Sequence, residues 1–279
     1  MCIFIIVTNL INIRLSLTHN TGNDQSTSID NKSDGYYVLP EECPIRNVSL
    51  AETPFPKTAL ASYPGSGNTW TRHLIQQATG FATGSVYCDS RLFPSFKTGE
   101  CVFDGRAIVV KTHRWGEKTR SRYQKAVLIV RHPARAVLSL FNLMRAGFNK
   151  HTNYTAFNES GWHTFADREM KKWKNFTEDW LSNYTRKMHV IIYEHLKENP
   201  RQTLENLLKF LALKYSQRDL DCAIWNQNGR YHRHFALEPD LSKLYSLRQQ
   251  LEINAYVANI SRILRERYAI EWKFNNPWN

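Results

Sequence analysis

Thr58-Ala-Leu-Ala-Ser-Tyr-Pro-Gly-Ser-Gly-Asn-Thr-Trp70 is the segment from which the architecture of this chain can be predicted. Its apolar run at residues 59–62 predicts a buried β-strand. Pro64, Gly65 and Gly67 then break the strand, and a helical pattern begins at Thr69. A strand, a glycine-bearing loop and a helix N-terminus together favour a bound anion, because unpaired N–H groups and the helix dipole meet there.

The side chains of this loop indicate an unusual kind of nucleotide loop. Ser66, Asn68 and Thr69 supply short hydrogen-bonding groups that can reach phosphate oxygens. The P-loop of nucleoside triphosphatases requires a lysine after its second glycine, but here Asn68 follows Gly67 and the loop contains no lysine. The loop therefore lacks the lysine that would bind a triphosphate with its Mg²⁺. The alternative is that this segment is a tight βα turn without a ligand.

Composition indicates a globular protein with an anionic partner. The 279 residues suit one fairly large domain, and 42% of them are hydrophobic. The formal net charge is +12, but lysines and arginines are scattered without a dense basic run. This distribution favours a charged pocket over a nucleic-acid-binding arm.

Three regions can be predicted along the chain. Residues 1–17 hold an interrupted apolar segment, which we interpret as a membrane anchor or the truncated end of one. Residues 18–50 form a polar stem, and residues 51–279 form the main domain. An anchor, a stem and a catalytic domain in this order predict a type II membrane protein with its domain in the lumen.

Glycosylation signals and cysteines agree with a lumenal domain. Asn-X-Ser/Thr sequons occur at Asn31, Asn47, Asn153, Asn158, Asn175, Asn183 and Asn259. The five cysteines allow one or two disulfides in an oxidising compartment, and a Cys88–Cys101 bond would close a short loop after the first helix. Reduced, buried thiols are the alternative for these cysteines.

Polar side chains follow the later predicted strands. A strand at 107–110 is followed by Lys111 and His113, which project to the same side of an extended chain. At the carboxyl edge of a parallel sheet, the histidine could act as a general base and the lysine as a fixed charge. A surface lysine beside a loop histidine is the alternative.

The next two strands carry further candidates. The strand at 126–130 leads into Arg131, and Ser139 lies within the helix that follows. Arginine suits bidentate binding of phosphate, although a structural salt bridge is the alternative. The strand at 189–193 ends in Tyr193, and a basic loop at 226–234 contains Arg230 and Arg233. Helices are predicted at 165–184, 198–213 and 241–268.

The motifs in this order resemble the sulfotransferases that use 3′-phosphoadenosine 5′-phosphosulfate (PAPS). Tyr63-Pro-Gly-Ser-Gly-Asn-Thr-Trp70 is similar to their 5′-phosphosulfate loop, and Arg131-His-Pro-Ala-Arg-Ala-Val-Leu-Ser139 is similar to their 3′-phosphate motif. Lys111-Thr-His113 resembles the strand end that carries the base. The sequence of the loop looks most like that of the WSC-domain-containing Golgi branch of the family, which is linked to sulfation of sialic acid. The resemblance implies an α/β fold, with a central parallel sheet flanked by helices as in P-loop NTPases.

Roles for individual residues follow from this resemblance. It implies donor-binding roles for Gly65, Ser66, Gly67, Asn68, Thr69, Trp70, Arg131, Ser139, Tyr193, Arg230 and Arg233. His113 would deprotonate the acceptor hydroxyl, and Lys111 would stabilise charge on the transferred group. Many relatives have a lysine where this chain has Gly65, so the missing charge is expected to come from Lys111.

The expected activity is transfer of a sulfuryl group from PAPS, released as the bisphosphate PAP, to a hydroxyl of a glycan. Sialic acid on glycoproteins or glycolipids is the candidate acceptor, and the Golgi membrane is the expected location. The sequence shows no metal-ligand spacing, and no nucleic-acid partner is expected. Two alternatives remain open, a nucleotide-dependent small-molecule kinase and a non-catalytic glycan-binding protein with the same fold.

Overall fold

A computed structural model describes residues 43–147, 150, 152, 157, 160–230 and 239–278. The predicted anchor and the stem up to residue 42 lie outside the described residues. Within the part of the chain that the structure describes, none of the helices combines the length and the apolar composition needed to cross a bilayer.

Five parallel strands form the central sheet of the described domain. They are β1 (Thr58–Ser62), β2 (Gly84–Ser85), β3 (Val110–Thr112), β4 (Lys125–Val130) and β5 (Met188–Ile192). Their order in the sheet is β2-β3-β1-β4-β5, so β1 lies at the centre. In register, Ala59 of β1 pairs with Val110 on one side and Ala126 on the other. All strand carboxyl ends therefore meet at one edge of the sheet.

Helices cover both faces of this sheet. They are α1 (Asn68–Thr79), α2 (Phe93–Phe96), α3 (Glu117–Arg120), α4 (Pro133–Ala146), α5 (Ser160–Asn183), α6 (Tyr193–Glu198), α7 (Pro200–Leu211), α8 (Gln217–Trp225), α9 (Leu241–Leu244) and α10 (Leu247–Tyr268). A 3₁₀ turn at Ser90–Leu92 precedes α2. The predicted α/β architecture with a parallel sheet is confirmed.

Alternating strand residues supply two separate cores. Ala59 and Leu128 pack into the core that includes α4, α5 and α10, whereas Leu60 and Val127 pack into the core that includes α1, α7 and α8. Because side chains alternate between the faces of a strand, a sheet covered on both faces needs continuous apolar strands. This requirement explains why the short apolar runs in the sequence predicted β1, β4 and β5.

Several predicted elements differ from the structure, and the strand predicted at 189–193 ends at Ile192, so that Tyr193 begins α6. The strand predicted at 107–110 is β3 at Val110–Thr112, because the ladder with β2 begins only at Val110. Lys111 thus lies inside the strand and not beyond its end. The single helix predicted at 241–268 is broken before Ser246, whose side chain accepts a hydrogen bond from the Gln249 N–H and starts α10 in a capping box.

Disulfides fix two segments of the domain. The predicted Cys88–Cys101 bond is present, and Cys43 pairs with Cys222 across 179 residues of sequence. Residues 43–50, which the sequence assigned to the stem, are also held by main-chain bonds from the Ser49 N–H to Gly80 O and from the Ala82 N–H to Ser49 O. The folded domain therefore begins by residue 43.

Candidate functional site

A cavity of about 1220 Å³ opens at the carboxyl edge of the sheet. Its walls are formed by predicted site residues and their neighbours in the motifs, namely Pro64, Gly65, Gly67, Asn68, Thr69, Trp70, Lys111, His113, Arg131, Ser139, Tyr193 and Arg230. Motifs that lie far apart in the sequence therefore share one site. Ser66 is buried and is not among the residues that line the cavity, and Arg233 lies outside the described residues.

The loop after β1 is shaped by two glycines with positive φ. Gly65 has φ +79° and Gly67 has φ +94°, a region that residues with a side chain rarely adopt. A Cβ on Gly65 would lie 2.5 Å from Ala136 O, and one on Gly67 would lie 2.6 Å from Cδ2 of Tyr193. Both positions therefore require glycine, and Gly67 caps α1.

The side chain of Asn68 stabilises this loop. Its Nδ2 donates to Leu60 O at 2.9 Å and to Ser62 Oγ at 3.2 Å, so the donors of its amide are already used. The main-chain N–H of Asn68 belongs to the first turn of α1, where N–H groups lack helical partners. Ser66 is buried, and its Oγ has no hydrogen-bond partner among the described residues. The loop thus offers main-chain donors and the Ser66 hydroxyl, for which the described residues provide no partner.

Arg131 lies against the same loop. Its Nη1 donates to Gly65 O at 2.7 Å, and its Cζ lies 4.2 Å from the centre of the Tyr193 ring. Its Nε is buried and finds no hydrogen-bond partner in the part of the chain that the structure describes. Tyr193 is the first residue of α6, and its ring also covers Gly67. Arg131 is therefore oriented by two contacts and keeps one buried donor for a ligand.

Trp70 and His73 on α1 hold the segment that leads into the basic loop. Trp70 Nε1 donates to Gln227 O at 3.0 Å, and His73 Nε2 lies 2.7 Å from Asn226 O. Arg230 is exposed and lines the cavity at the end of this segment. The indole edge of Trp70 is thus engaged by the protein, while the residue remains part of the cavity wall.

The hydrogen bonds of His113 select its tautomer. Its Nδ1 lies 2.7 Å from Ser62 O, and because a carbonyl oxygen can only accept, Nδ1 carries the hydrogen. Nε2 is then the unprotonated nitrogen that can accept a proton. Burial and the nearby charge of Lys111 lower the pKa of His113 to about 3. The imidazole is therefore neutral at physiological pH, as a general base must be.

Lys111 lies beside His113 in a partly desolvated position. Only 8% of its surface is exposed, and burial is the main cause that lowers its pKa to about 8, with the charge of Arg72 adding to the effect. The carboxylates of Glu100 and Asp89 act in the opposite direction and favour the charged form. Lys111 is thus a cation close to its titration point at the wall of the cavity.

The cavity also contains residues that the sequence did not single out. They are Tyr87 beside His113, Asp89 and Arg91 near Lys111, and His132, Glu194 and Phe274 near Arg131. Glu194 accepts from the His132 N–H at 3.0 Å and from Trp272 Nε1 at 3.2 Å, so it ties the C-terminal segment to the end of β4. No local motif marks Tyr87, Asp89, Arg91 or Phe274, because their place in the site depends on contacts between distant segments, whereas His132 and Glu194 directly follow the predicted Arg131 and Tyr193.

Comparison with known proteins agrees with this geometry. Residues 123–217 match the family model described as the sulfotransferase family. A WSCD family member of Drosophila melanogaster is 36% identical over 208 residues, which cover 73% of this chain and 64% of that protein. A WSCD family member of Aedes aegypti is 39% identical over 179 residues, which cover 63% of this chain and 56% of that protein. The resemblance to the sulfotransferases is confirmed. The chain spans less than two thirds of the length of these curated relatives.

Solved structures show the same fold. The mouse sulfotransferase SULT7A1 complexed with PAP superposes with a TM-score of 0.52 at 14% identity, covering 79% of this chain and 87% of that one. A retinol dehydratase in complex with androsterone and inactive cofactor PAP gives a TM-score of 0.50 at 12% identity, covering 77% of this chain and 82% of that one. The predicted sulfotransferase fold is thereby confirmed.

Proposed function

We propose that this chain is a sulfotransferase that transfers a sulfuryl group from PAPS to a hydroxyl group of a glycan. The observation that carries the proposal is that one cavity joins an anion-binding loop and Arg131 to the pair Lys111 and His113. The first set suits a phosphorylated nucleotide, and the second suits proton removal from a hydroxyl.

The residues of the cavity fit such a donor. Within the described part of the chain, Arg131 of the cavity wall has a buried Nε without a partner, which can donate to a phosphate oxygen. Ser66 does not line the cavity, but it belongs to the same loop and its buried Oγ also has no described partner. Two aromatic rings, Trp70 and Tyr193, stand beside them and suit an adenine base. The described cavity wall carries six basic side chains, Arg91, Lys111, Arg131, Arg135, Lys197 and Arg230, against three acidic ones, Asp89, Glu194 and Glu198. This excess of positive charge favours a ligand with several negative charges.

The bound donor would supply the sulfuryl group, whose bond to the phosphate breaks as the acceptor oxygen bonds to sulfur. His113 would take the hydroxyl proton on Nε2 while Ser62 O holds the Nδ1 hydrogen. Lys111 would neutralise charge that develops on the transferred group and its bridging oxygen. Transfer then depends mainly on positioning and electrostatics, by analogy with phosphoryl transfer.

The conformation of Gly65 supports the assignment of the positive charge to Lys111. Neither the conformation nor the packing of Gly65 admits a side chain, since its φ is +79° and a Cβ at this position would lie 2.5 Å from Ala136 O. A lysine at this loop position would force the loop away from α4. Among the basic residues of the described cavity wall, Lys111 is the one two residues from His113.

A lumenal location and a glycan acceptor are parts of the same proposal. Two disulfides favour an oxidising compartment, and Asn47, Asn175 and Asn183 are exposed within their sequons. The positive cavity would suit an acidic sugar such as sialic acid, and an N-terminal anchor would place the domain in the Golgi lumen. Glycosidase treatment of the chain expressed in eukaryotic cells should increase its gel mobility. Unchanged mobility would contradict the lumenal location.

The decisive experiment pairs binding with transfer. Isothermal calorimetry should detect association with PAP, and labelled sulfate from PAPS should appear on sialylated, neutral or proteoglycan acceptors. PAP binding without transfer to any acceptor would favour a non-catalytic glycan-binding protein. Transfer of phosphate from Mg²⁺–ATP without binding of PAP would favour the small-molecule kinase.

A further inference from the structure

Tyr87 occupies a defined place between a strand and a disulfide. It lies two residues after β2, and its main-chain N–H donates to Ser85 Oγ at 3.1 Å. The next residue, Cys88, has φ +50° and is bonded to Cys101. Residues on both sides of Tyr87 are therefore fixed, and the side chain is directed from a rigid main chain.

This side chain contacts His113 in two ways. The phenol oxygen accepts a hydrogen bond from the His113 N–H at 2.7 Å. The two rings are stacked, with 5.4 Å between their centres and 27° between their planes. Together with the bond from Nδ1 to Ser62 O, these contacts hold the main chain, the ring face and one ring nitrogen of His113. Nε2 is the part of the imidazole that these contacts leave unused.

We propose that Tyr87 is a positioning residue that holds the imidazole of His113 so that Nε2 points to the acceptor hydroxyl. The inference rests on the proposed function, in which His113 is the base. Tyr87 does not exchange a proton in this scheme. Its ring restricts the rotation of the imidazole, and its hydroxyl fixes the main chain from which His113 extends.

The ring of Tyr87 also limits the position of the neighbouring cations. Lys111 Nζ lies 5.8 Å from its centre, and Arg114 Cζ lies 5.8 Å from the same point. Both distances fall within the range of cation–π attraction. One aromatic ring thus contacts the proposed base and lies close to the proposed charge-stabilising lysine. Misplacement of reacting groups by about 1 Å costs roughly a hundredfold in rate, so such a contact affects turnover strongly.

Two variants distinguish the contribution of the Tyr87 ring from that of its hydroxyl. Tyr87→Ala removes both contacts, and we expect kcat to fall about tenfold to a hundredfold, while the affinity for PAP and the KM for PAPS stay unchanged. Tyr87→Phe keeps the stacked ring and should restore most of the rate. Phe103→Ala and Tyr215→Phe are matched controls, because Phe103 is an exposed aromatic outside the cavity and the Tyr215 hydroxyl bonds only to Glu205 among the contacts described. Both controls should keep wild-type kinetics.

A measurement without turnover tests the same contact. In protein labelled with ¹⁵N-histidine, the His113 signals, assigned with a His113→Asn variant, should show the Nδ1–H tautomer in wild type and in Tyr87→Phe. In Tyr87→Ala they should shift towards averaged tautomers, because the ring can rotate. A merely structural role of Tyr87 would lower thermal stability and PAP affinity together and leave these signals unchanged.

The outcomes separate this inference from the proposed function. If wild-type protein transfers sulfate and Tyr87→Ala keeps the same kcat with unchanged His113 signals, the positioning role is wrong and the proposed function stands. If wild-type protein neither binds PAP nor transfers sulfate, the proposed function is wrong and the inference is overturned with it. A selective loss of kcat that Tyr87→Phe rescues would support the positioning role.

Discussion

The two halves of the cavity are built in different ways. The donor half consists of Gly65 and residues 67–70 with Arg131, Ser139 and Tyr193, and the acceptor half consists of Tyr87, Asp89, Arg91, Lys111 and His113. In the donor half, positive φ angles and the end of a helix create the site, so its function depends on main-chain conformation. In the acceptor half, side chains from separate segments orient one another.

This difference also appears in the electrostatics. Arg72 and Glu100 form a fully buried ion pair at 2.7 Å that joins α1 to the segment closed by Cys88 and Cys101. The charge of Arg72 lowers the pKa of Lys111, and that of Glu100 raises it. Charges outside the acceptor half thus shift the pKa of Lys111 within it. In the donor half, the positive potential comes from main-chain dipoles and from Arg131. Substitutions in the acceptor half should therefore change kcat, and substitutions in the donor half should change the affinity for PAP.

The largest expected effect is on turnover. His113→Ala should lower kcat about a hundredfold to ten-thousandfold, because it removes the proposed base. The affinity for PAP, measured by calorimetry, should stay within about twofold of wild type, since the donor half is intact. His163→Ala is the control, because His163 bonds to Gln249 outside the cavity. Wild-type turnover in purified His113→Ala would show that another group accepts the proton.

A smaller effect, on binding, is expected in the donor half. Arg131→Ala removes a charged donor and also the bond to Gly65 O, so PAP affinity should fall about tenfold to a hundredfold. At saturating PAPS, kcat should change much less than in His113→Ala. Arg106→Ala is the control, because Arg106 pairs with Asp104 on the surface. Unchanged PAP affinity in Arg131→Ala would show that the 3′-phosphate is bound elsewhere.

The donor half could be predicted from the sequence because its information is local. Gly65, Gly67 and the spacing from Arg131 to Ser139 can be recognised in the sequence. The glycines act through local main-chain conformation, and Arg131 and Ser139 are separated by less than the length of one helix, α4. The strands at the centre of the sheet were predictable for the same reason, since burial on both faces leaves continuous apolar runs.

The acceptor half could be predicted only in part. Lys111 and His113 share one side of an extended chain, and the structure places both in the cavity. Tyr87 was missed because β2 has two residues and no apolar run, and its contact with His113 spans 26 residues. The Cys43–Cys222 bond and the place of Phe274 in the cavity also depend on contacts between distant segments, so they could not be predicted. The capping box at Ser246, by contrast, is a local signal from which the start of α10 could have been predicted.

The last and smallest effect is on pH dependence, which can separate the roles of Lys111 and His113. Burial lowers the pKa of Lys111 from its usual value to about 8, so its positive charge is lost as the pH rises through 8. In kcat/KM, which reports the free enzyme, activity should fall by about tenfold per pH unit above that point. The lowered pKa of His113, about 3, predicts no decrease between pH 5 and 7, where a histidine base with its usual pKa would be protonated.

Lys111→Arg tests whether loss of the Lys111 charge causes this decrease in kcat/KM above pH 8, the alkaline limb of the profile. A guanidinium keeps its charge at all accessible pH values. Its activity at pH 7 should be lower than wild type, since the shape of the cation differs, but its kcat/KM should stay level above pH 8. Tyr87, Arg91 and Arg114 face the same region, and the charge of Arg91 contributes to the lowered pKa of Lys111. Arg91→Gln should therefore keep the decrease in activity at alkaline pH but move it to a higher pH. A wild-type profile that stays level to pH 9.5, or a Lys111→Arg profile with the same limb, would mean that Lys111 does not supply the charge. The proposed division of the cavity into a donor half set by the backbone and an acceptor half set by side-chain charges would then lose its main electrostatic support.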